Sequence, residues 1–243
     1  MPVEPRAWEL VLRHVERELL EGRLQPGDHL PPERTLAADL GVGRSSVREA
    51  VRVLEGFGLI RTQTGSGPSA GAIIIATPQG GMSALMRLQL AAQGFAVADI
   101  VATRLLLETQ IVAGLANAGG AAGADLSAAT TLLAAMDEPA LSPAEFLALD
   151  AQFHVALAEA SGNQVVTAMM AGLRDSVESY ALAGLPAVAD LPSTLARLRS
   201  EHHGIVDAIQ AQDAAAASTR IHSHISGYYA ETHLTHHKET TAW

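Results

Sequence analysis

Residues 30–67 read LPPERTLAADLGVGRSSVREAVRVLEGFGLIRTQTGSG, and the fold of the N-terminal part follows from this stretch. Pro31-Pro32 suits the start of a helix and Gly41 its end, because proline is preorganised for a first helical position and glycine for the left-handed residue after the last. After the short Val42-Gly43 turn, a further helix is expected from Arg44 to Gly58. Leu36, Ala37, Leu40, Val42, Val47, Ala50, Val51 and Leu54 fall where they give the two helices a common core. Two helices joined by a tight glycine-containing turn predict a helix-turn-helix.

Working outward, LIRTQT (59–64) and AIIIAT (72–77) are short and rich in β-branched residues, and read as strands. The GSGPSAG between them predicts a hairpin, which after a helix-turn-helix is a wing. Its glycine-rich tip can approach a sugar-phosphate backbone closely. Upstream, Trp8, Val11, Leu12, Val15 and Leu19 keep helical spacing over residues 6–22, and Gly22 is a plausible stop. Arg44, Ser45, Ser46 and Arg48 gather at the start of the third helix, where free backbone N–H groups also favour phosphate. Arg34, at the start of the second helix, could join them. A helix-turn-helix by itself is often only a packing unit, and a surface arginine is often only solvated. The wing and the Arg/Ser grouping together favour DNA binding.

The whole-chain composition seems at first to argue the other way. The 243 residues carry a formal net charge of −10, are 48% hydrophobic and 17% charged, and include no cysteine. That excludes a disordered chain, a disulfide framework and any thiolate metal site or nucleophile. No apolar run of about 18 residues and no signal pattern at MPVEPRAWEL are present, so a soluble, cytoplasmic protein is expected. The acidity is unevenly placed. Residues 1–75 hold nine Arg against ten Asp+Glu, whereas residues 76–243 hold seven Lys+Arg against sixteen. The net charge therefore describes the C-terminal part, with a join near residues 76–82, where Pro and paired Gly interrupt regular structure.

From residue 81 onward no strand pattern appears. Helical stretches are expected at 81–94, 98–118, 124–138, 142–161, 163–184, 191–212 and 214–234, about seven in all, which predicts an antiparallel helical bundle. The fold class is thus mainly α: a winged helix-turn-helix over 1–78, an all-α domain over 79–234 and a flexible tail over 235–243. Eight of the ten histidines lie at 154 or later, and helical geometry sorts them. Asp150 and His154 are four residues apart and share a stripe with Leu147 and Leu157. His202 shares one with Leu198, Ile205 and Ile209; His224 shares one with Ala217, Ile221 and Tyr228. His203, His222, His233, His236 and His237 point elsewhere and read as solvated surface.

A lone inward histidine is usually a core residue with one satisfied hydrogen bond. Three of them with a carboxylate, on three apolar faces, would be costly to bury unless satisfied together, and a divalent cation does that. Asp150, His154, His202 and His224 therefore form a candidate metal site. A donor set of three imidazoles and a carboxylate suits zinc, nickel, manganese or iron.

These residues carry a resemblance at both ends of the chain. Leu-Pro-x-Glu-Arg, Leu-Ala, Gly-Val-x-Arg, Val-Arg-Glu-Ala, Leu-Glu and Gly-x-Gly, over about residues 6–76, resemble the winged-helix domain of GntR-family transcriptional regulators. The resemblance implies operator contact by Arg34, Arg44 and Arg48, with Ser45 and Ser46 near phosphate or bases and Gly65 and Gly67 in the wing. Many members have Ser where this chain has Gly43, which removes one hydroxyl contact. Arg-Leu-Leu-Leu-Glu at 104–108, Asp-Ala-Gln-Phe-His at 150–154, Ser-Gly-Asn at 161–163, Glu-His at 201–202 and His224 resemble the FCD effector-binding domain of the FadR subfamily. There the metal pattern would fall on Asp150, His154, His202 and His224, with Arg104 facing an effector carboxylate; an i,i+4 ion pair of Arg104 with Glu108 is the alternative. Within that group the chain looks most similar to L-lactate-responsive repressors.

The expected protein is a homodimeric repressor that binds a palindromic DNA operator and is released by a small carboxylate at the metal. Hydroxy-acids are attractive effectors because their carboxylate and hydroxyl can chelate together. Two other readings stand beside it: a metal-dependent hydrolase, which would need a general base that Glu159 is poorly placed to provide, and a constitutive DNA-binding protein with a structural metal.

Overall fold

The computed structural model describes residues 5–63, 71–75, 78–93, 95–118 and 124–232, and falls into two compact units, Met1–Leu85 and Met86–Trp243. In the first, α1 (Ala7–Leu20), α2 (Glu33–Leu40) and α3 (Arg44–Gly56) precede the antiparallel strands β1 (Ile60–Gln63) and β2 (Gly71–Ile74). Val11 of α1, Leu36 and Ala37 of α2, and Val47 and Ala50 of α3 meet in one buried cluster. Val15, Leu30, Leu54, Ile60 and Ile74 form a second beneath the hairpin.

Local chemistry sets the turns. Gly41 closes α2 in the left-handed conformation, φ +64°, as its sequence position predicts. The third helix ends at Gly56 rather than Gly58; Gly58 instead takes φ +68° and redirects the chain into β1. The hairpin also gains a pairing that no periodicity announced. The chain about His29 bridges Ile73, with Leu30 N donating to Ala72 O at 2.8 Å and Ile74 N to Asp28 O at 2.8 Å. A stretch of Gln, Pro, Gly and Asp reads as a turn, and it is the tertiary placement of β2 that converts it into an edge pairing.

The boundary between the units falls inside α4 (Pro78–Gln93). The second unit contains α5 (Val97–Asn117), α6 (Ser127–Met136), α7 (Pro143–Ala160), α8 (Gln164–Gly184), a 3-10 turn at Leu185–Ala187, α9 (Leu191–Gln210) and α10 (Ala214–Glu231). Strong caps start the helices that carry the site. Ser142 and Glu145 form a capping box at α7 behind Pro143, Asn163 caps α8, and Asp190 and Asp213 accept first-turn amides of α9 and α10. α10 packs along α5 and α9, while α7 packs along α6 and α8. Phe146, Phe153, Val112, Ile205, Ala217 and Ile221 are fully enclosed between them. Among the described residues no helix is long and apolar enough to cross a membrane.

Candidate functional site

The stripes on α7, α9 and α10 converge. One ligand atom from each of Asp150, His154, His202 and His224 lies within 4.8 Å of all the others, and all four residues are buried. His154 Nε2 and His224 Nε2 are 3.3 Å apart. Asp150 Oδ1 is 2.9 Å from His202 Nε2 and 3.7 Å from His224 Nε2, and Oδ2 is 3.8 Å from His154 Nε2. Tetrahedral donors about 2.0–2.1 Å from a cation stand about 3.3 Å from one another, so these separations fit a bound ion.

His202 makes the strongest case. Its side chain is fully buried, Nδ1 has no hydrogen-bond partner, and Nε2 meets only Asp150 Oδ1 at 2.9 Å. An unsatisfied buried imidazole costs free energy. A cation at the centre of the four donors would satisfy Nε2 together with the other three. The electrostatics agree. Burial pushes the His202 imidazole down to about 4, with the neighbouring His224 charge acting in the same direction. Burial likewise lowers His154, against the pull of Glu108. Asp150 is held well below the ordinary carboxylate range: burial opposes ionisation, but His202, His154 and His224 outweigh it. His154 and His202 shifted towards the neutral form, beside an ionised Asp150, match what a divalent cation requires of these donors.

Around the donors lies a set of polar residues whose pairings sequence spacing does not reveal. Glu108 Oε2 meets His154 Nδ1, and Glu108 Oε1 accepts from Arg104 Nε at 2.7 Å. Burial raises Glu108, but the Arg104 charge and His154 bring it down to about 2. Glu201 Oε2 meets His224 Nδ1 at 2.9 Å, and its Oε1 accepts from Arg197 Nη1 at 2.6 Å. The Arg104–Glu108 pair expected from i,i+4 spacing is therefore present, but buried and extended onto a histidine. Spacing within α5 could suggest the pair; nothing in it points to a residue 46 positions away.

Arg104 Nη2 and the Tyr229 hydroxyl are also buried, and apart from the interaction of these two side chains with each other they have no hydrogen-bond partner. Both line a cavity of about 20 Å³ together with Asp150, His224, Tyr228 and an apolar wall. It has room for a water or one end of a ligand. A roomier cavity of about 540 Å³ is lined by Leu106, Gln110, Ile111 and other uncharged residues, and none of the four donors borders it.

In the first unit, Arg34, Arg44, Ser45 and Arg48 are exposed and Ser46 is half-buried. Gly43 is the N-cap of α3 and offers no side-chain acceptor, so the first amides of α3 have no side-chain cap. Arg23, by contrast, is tied to Glu18 and Glu21. Gly65 and Gly67 lie outside the described residues, as do His233, His236, His237 and the tail at 235–243. His222 is exposed as expected. His203 is exposed too, but not merely solvated: its Nε2 sits 2.9 Å from Asp137 Oδ2, linking α9 to the end of α6.

Comparison with known proteins bears on both units. Residues 9–68 match the model of the gntR family of bacterial regulatory proteins, and residues 99–227 match the FCD domain. The HTH-type transcriptional repressor NanR of Citrobacter rodentium is 32% identical over 234 residues, covering 93% of this chain and 85% of the relative. That of Escherichia coli K12 is 31% identical, covering 93% and 84%. A solved structure of Streptococcus agalactiae GntR superimposes with a TM-score of 0.62 at 26% identity, over 93% of this chain and all of the other. Exposed arginines on a winged helix-turn-helix and a buried Asp–His₃ cluster thus lie in one chain whose relatives are regulators and not enzymes: the protein belongs to the GntR family of bacterial transcriptional regulators, with an FCD domain as its C-terminal half.

Proposed function

We propose that this regulator is a homodimeric repressor whose operator binding is relieved by a small carboxylate bound at a metal centre formed by Asp150, His154, His202 and His224. Residues 1–78 serve as the reading head and 79–234 as the sensor and dimerisation domain, and the protein works in the cytoplasm. The observation that carries the reading is the buried convergence of four donors beside a small cavity that Arg104 and Tyr229 also line. Zinc is the first candidate for three imidazoles and a carboxylate, with nickel, manganese and iron as alternatives. Once bound, such a cation offers a Lewis-acidic position to an anionic ligand.

Asp150, Glu108, Glu201 and Glu231 contribute four negative charges, and Arg104 and Arg197 two positive, so a divalent cation would bring the cluster to neutrality, and a carboxylate ligand would be selected by the groups it meets and not by net charge. Arg104 Nη2 and the Tyr229 hydroxyl would meet its oxygens, and the small cavity favours a compact acid, including short hydroxy-acids such as L-lactate.

On DNA, Arg34, Arg44 and Arg48, with Ser45 and Ser46, would contact the operator from α2 and α3, α3 lying in the major groove and Gly65 and Gly67 carrying the wing tip to the backbone. Effector binding can lower operator affinity only by favouring an arrangement of the dimer that does not fit the two half-sites. Native mass spectrometry of the purified protein should show a dimer with one divalent ion per chain. Fluorescence anisotropy on operator DNA, titrated with a panel of short carboxylates and hydroxy-acids, should then show at least about fivefold weakening with one of them. A metal-loaded dimer whose affinity ignores the whole panel would sink the small-carboxylate reading.

A further inference from the structure

The two carboxylates outside the donor set repeat one geometry. Glu108 gives Oε2 to His154 Nδ1 and Oε1 to Arg104 Nε; Glu201 gives Oε2 to His224 Nδ1 and Oε1 to Arg197 Nη1. Each carboxylate thus bridges an arginine and a ligand histidine. Each does so from another helix than its histidine: Glu108 on α5 serves His154 on α7, and Glu201 on α9 serves His224 on α10. The third histidine, His202, has nothing at Nδ1.

We propose that Glu108 and Glu201 are positioning residues of the metal centre, each fixing the tautomer and the ring orientation of one histidine so that its Nε2 lone pair faces Asp150. A carboxylate paired with a guanidinium can only accept, so the facing Nδ1 carries the hydrogen and Nε2 is left as the donor atom. The arginine completes the arrangement by holding the carboxylate's other oxygen, leaving it one direction in which to serve the ring. Arg197 is in turn held by Glu231 at 2.6 Å, which anchors this arm to the end of α10. His202 needs no such partner because Asp150 Oδ1 and the enclosing rings of Phe146 and Phe153 confine it. The centre is therefore preset by two arms of unequal exposure: Arg104 and Glu108 are sealed in the core, whereas Arg197 and Glu201 reach solvent.

This inference rests on the metal reading above, and the experiment separates the two. Wild-type protein stripped of metal is titrated with Co²⁺ against a competing chelator, following the visible absorption of the bound ion, and the thermal midpoint of the metal-free form is recorded in parallel. Glu201→Ala should weaken Co²⁺ binding by about 10–100-fold and alter the absorption band. Glu201→Gln, which keeps an oxygen acceptor for Nδ1–H, should recover part of that loss. Glu108→Gln should behave likewise; because Glu108 is sealed in the core, where a substitution can unfold the protein, the Glu201 pair decides the matter. A purely structural ion pair would lower the metal-free midpoint while leaving Co²⁺ affinity and spectrum within about twofold of wild type, and that result overturns the proposal. Wild-type protein that takes up no Co²⁺ overturns the metal reading itself.

Discussion

His202 is fully enclosed, meets Asp150 through Nε2 and the rings of Phe153 and His224 by contact, and has no partner at Nδ1. A core position filled only for packing would be better served by leucine, so the imidazole is expected to earn its place by ligation. His202→Ala should abolish stoichiometric metal uptake, measured by elemental analysis of the folded variant; retention of one ion per chain would exclude His202 from the site. The same contrast of partnered and unpartnered groups separates the arginines of the other unit. Among the described residues no ion pair holds Arg48, while Arg23 is bound to two glutamates. Arg48→Ala should weaken operator binding by about 1–3 kcal/mol if it reads a base, or lower the salt slope by about one if it meets a phosphate. Arg23→Ala should leave anisotropy titrations unchanged.

At the scale of an element, α7 matters most, since it carries two of the four donors from a well-defined start. Ser142 and Glu145 close its first turn reciprocally: Glu145 N donates to Ser142 Oγ, and Ser142 N donates to Glu145 Oε2 at 2.8 Å. Ser142→Ala should cost about 1 kcal/mol, measured by denaturant unfolding. The side-chain and backbone hydrogen bonds from Ser142 lower the Glu145 pKa from its ordinary 4.5. A depressed carboxylate stabilises the fold fully above its unfolded value, and that contribution fades as pH falls below it. Wild type should therefore exceed Glu145→Gln in stability at pH 7, with the gap narrowing below about pH 4.5. A gap that is constant with pH would show that the carboxylate charge is not used at this cap. Fold periodicity made α7 legible in advance, because Pro143, the cap and the Asp150–His154 spacing are all local.

Over the whole molecule, acidity and function are separated along the chain. The sixteen Asp+Glu beyond residue 75 are matched by only seven Lys+Arg. Such a body repels phosphate, so off-operator binding should be weak, while operator contacts made by the arginines of the first unit should weaken as salt rises. Two compact units also imply that a ligand held by one stabilises that one. Removing metal with a chelator should lower the calorimetric transition of the helical unit and leave that of the winged helix in place. A shift of both transitions together would mean that the units unfold as one cooperative body.

Much of this protein is written in short-range patterns. The helix-turn-helix, the hairpin, the seven later helices and the four inward donors can be read from residues 30–77 and from stripes of period 3.6, because helix formation, capping and facing direction depend on neighbours a few positions apart. What spacing cannot express is who meets whom across the core. Glu108 on His154, Glu201 on His224, His203 on Asp137 and the edge pairing at His29 each join residues from different elements. Those pairings arise only once packing brings the helices and strands together. The sequence alone therefore determined the elements and the donor set, whereas the tertiary structure decided which carboxylates aim the histidines, because orientation at a buried centre is a property of several helices at once.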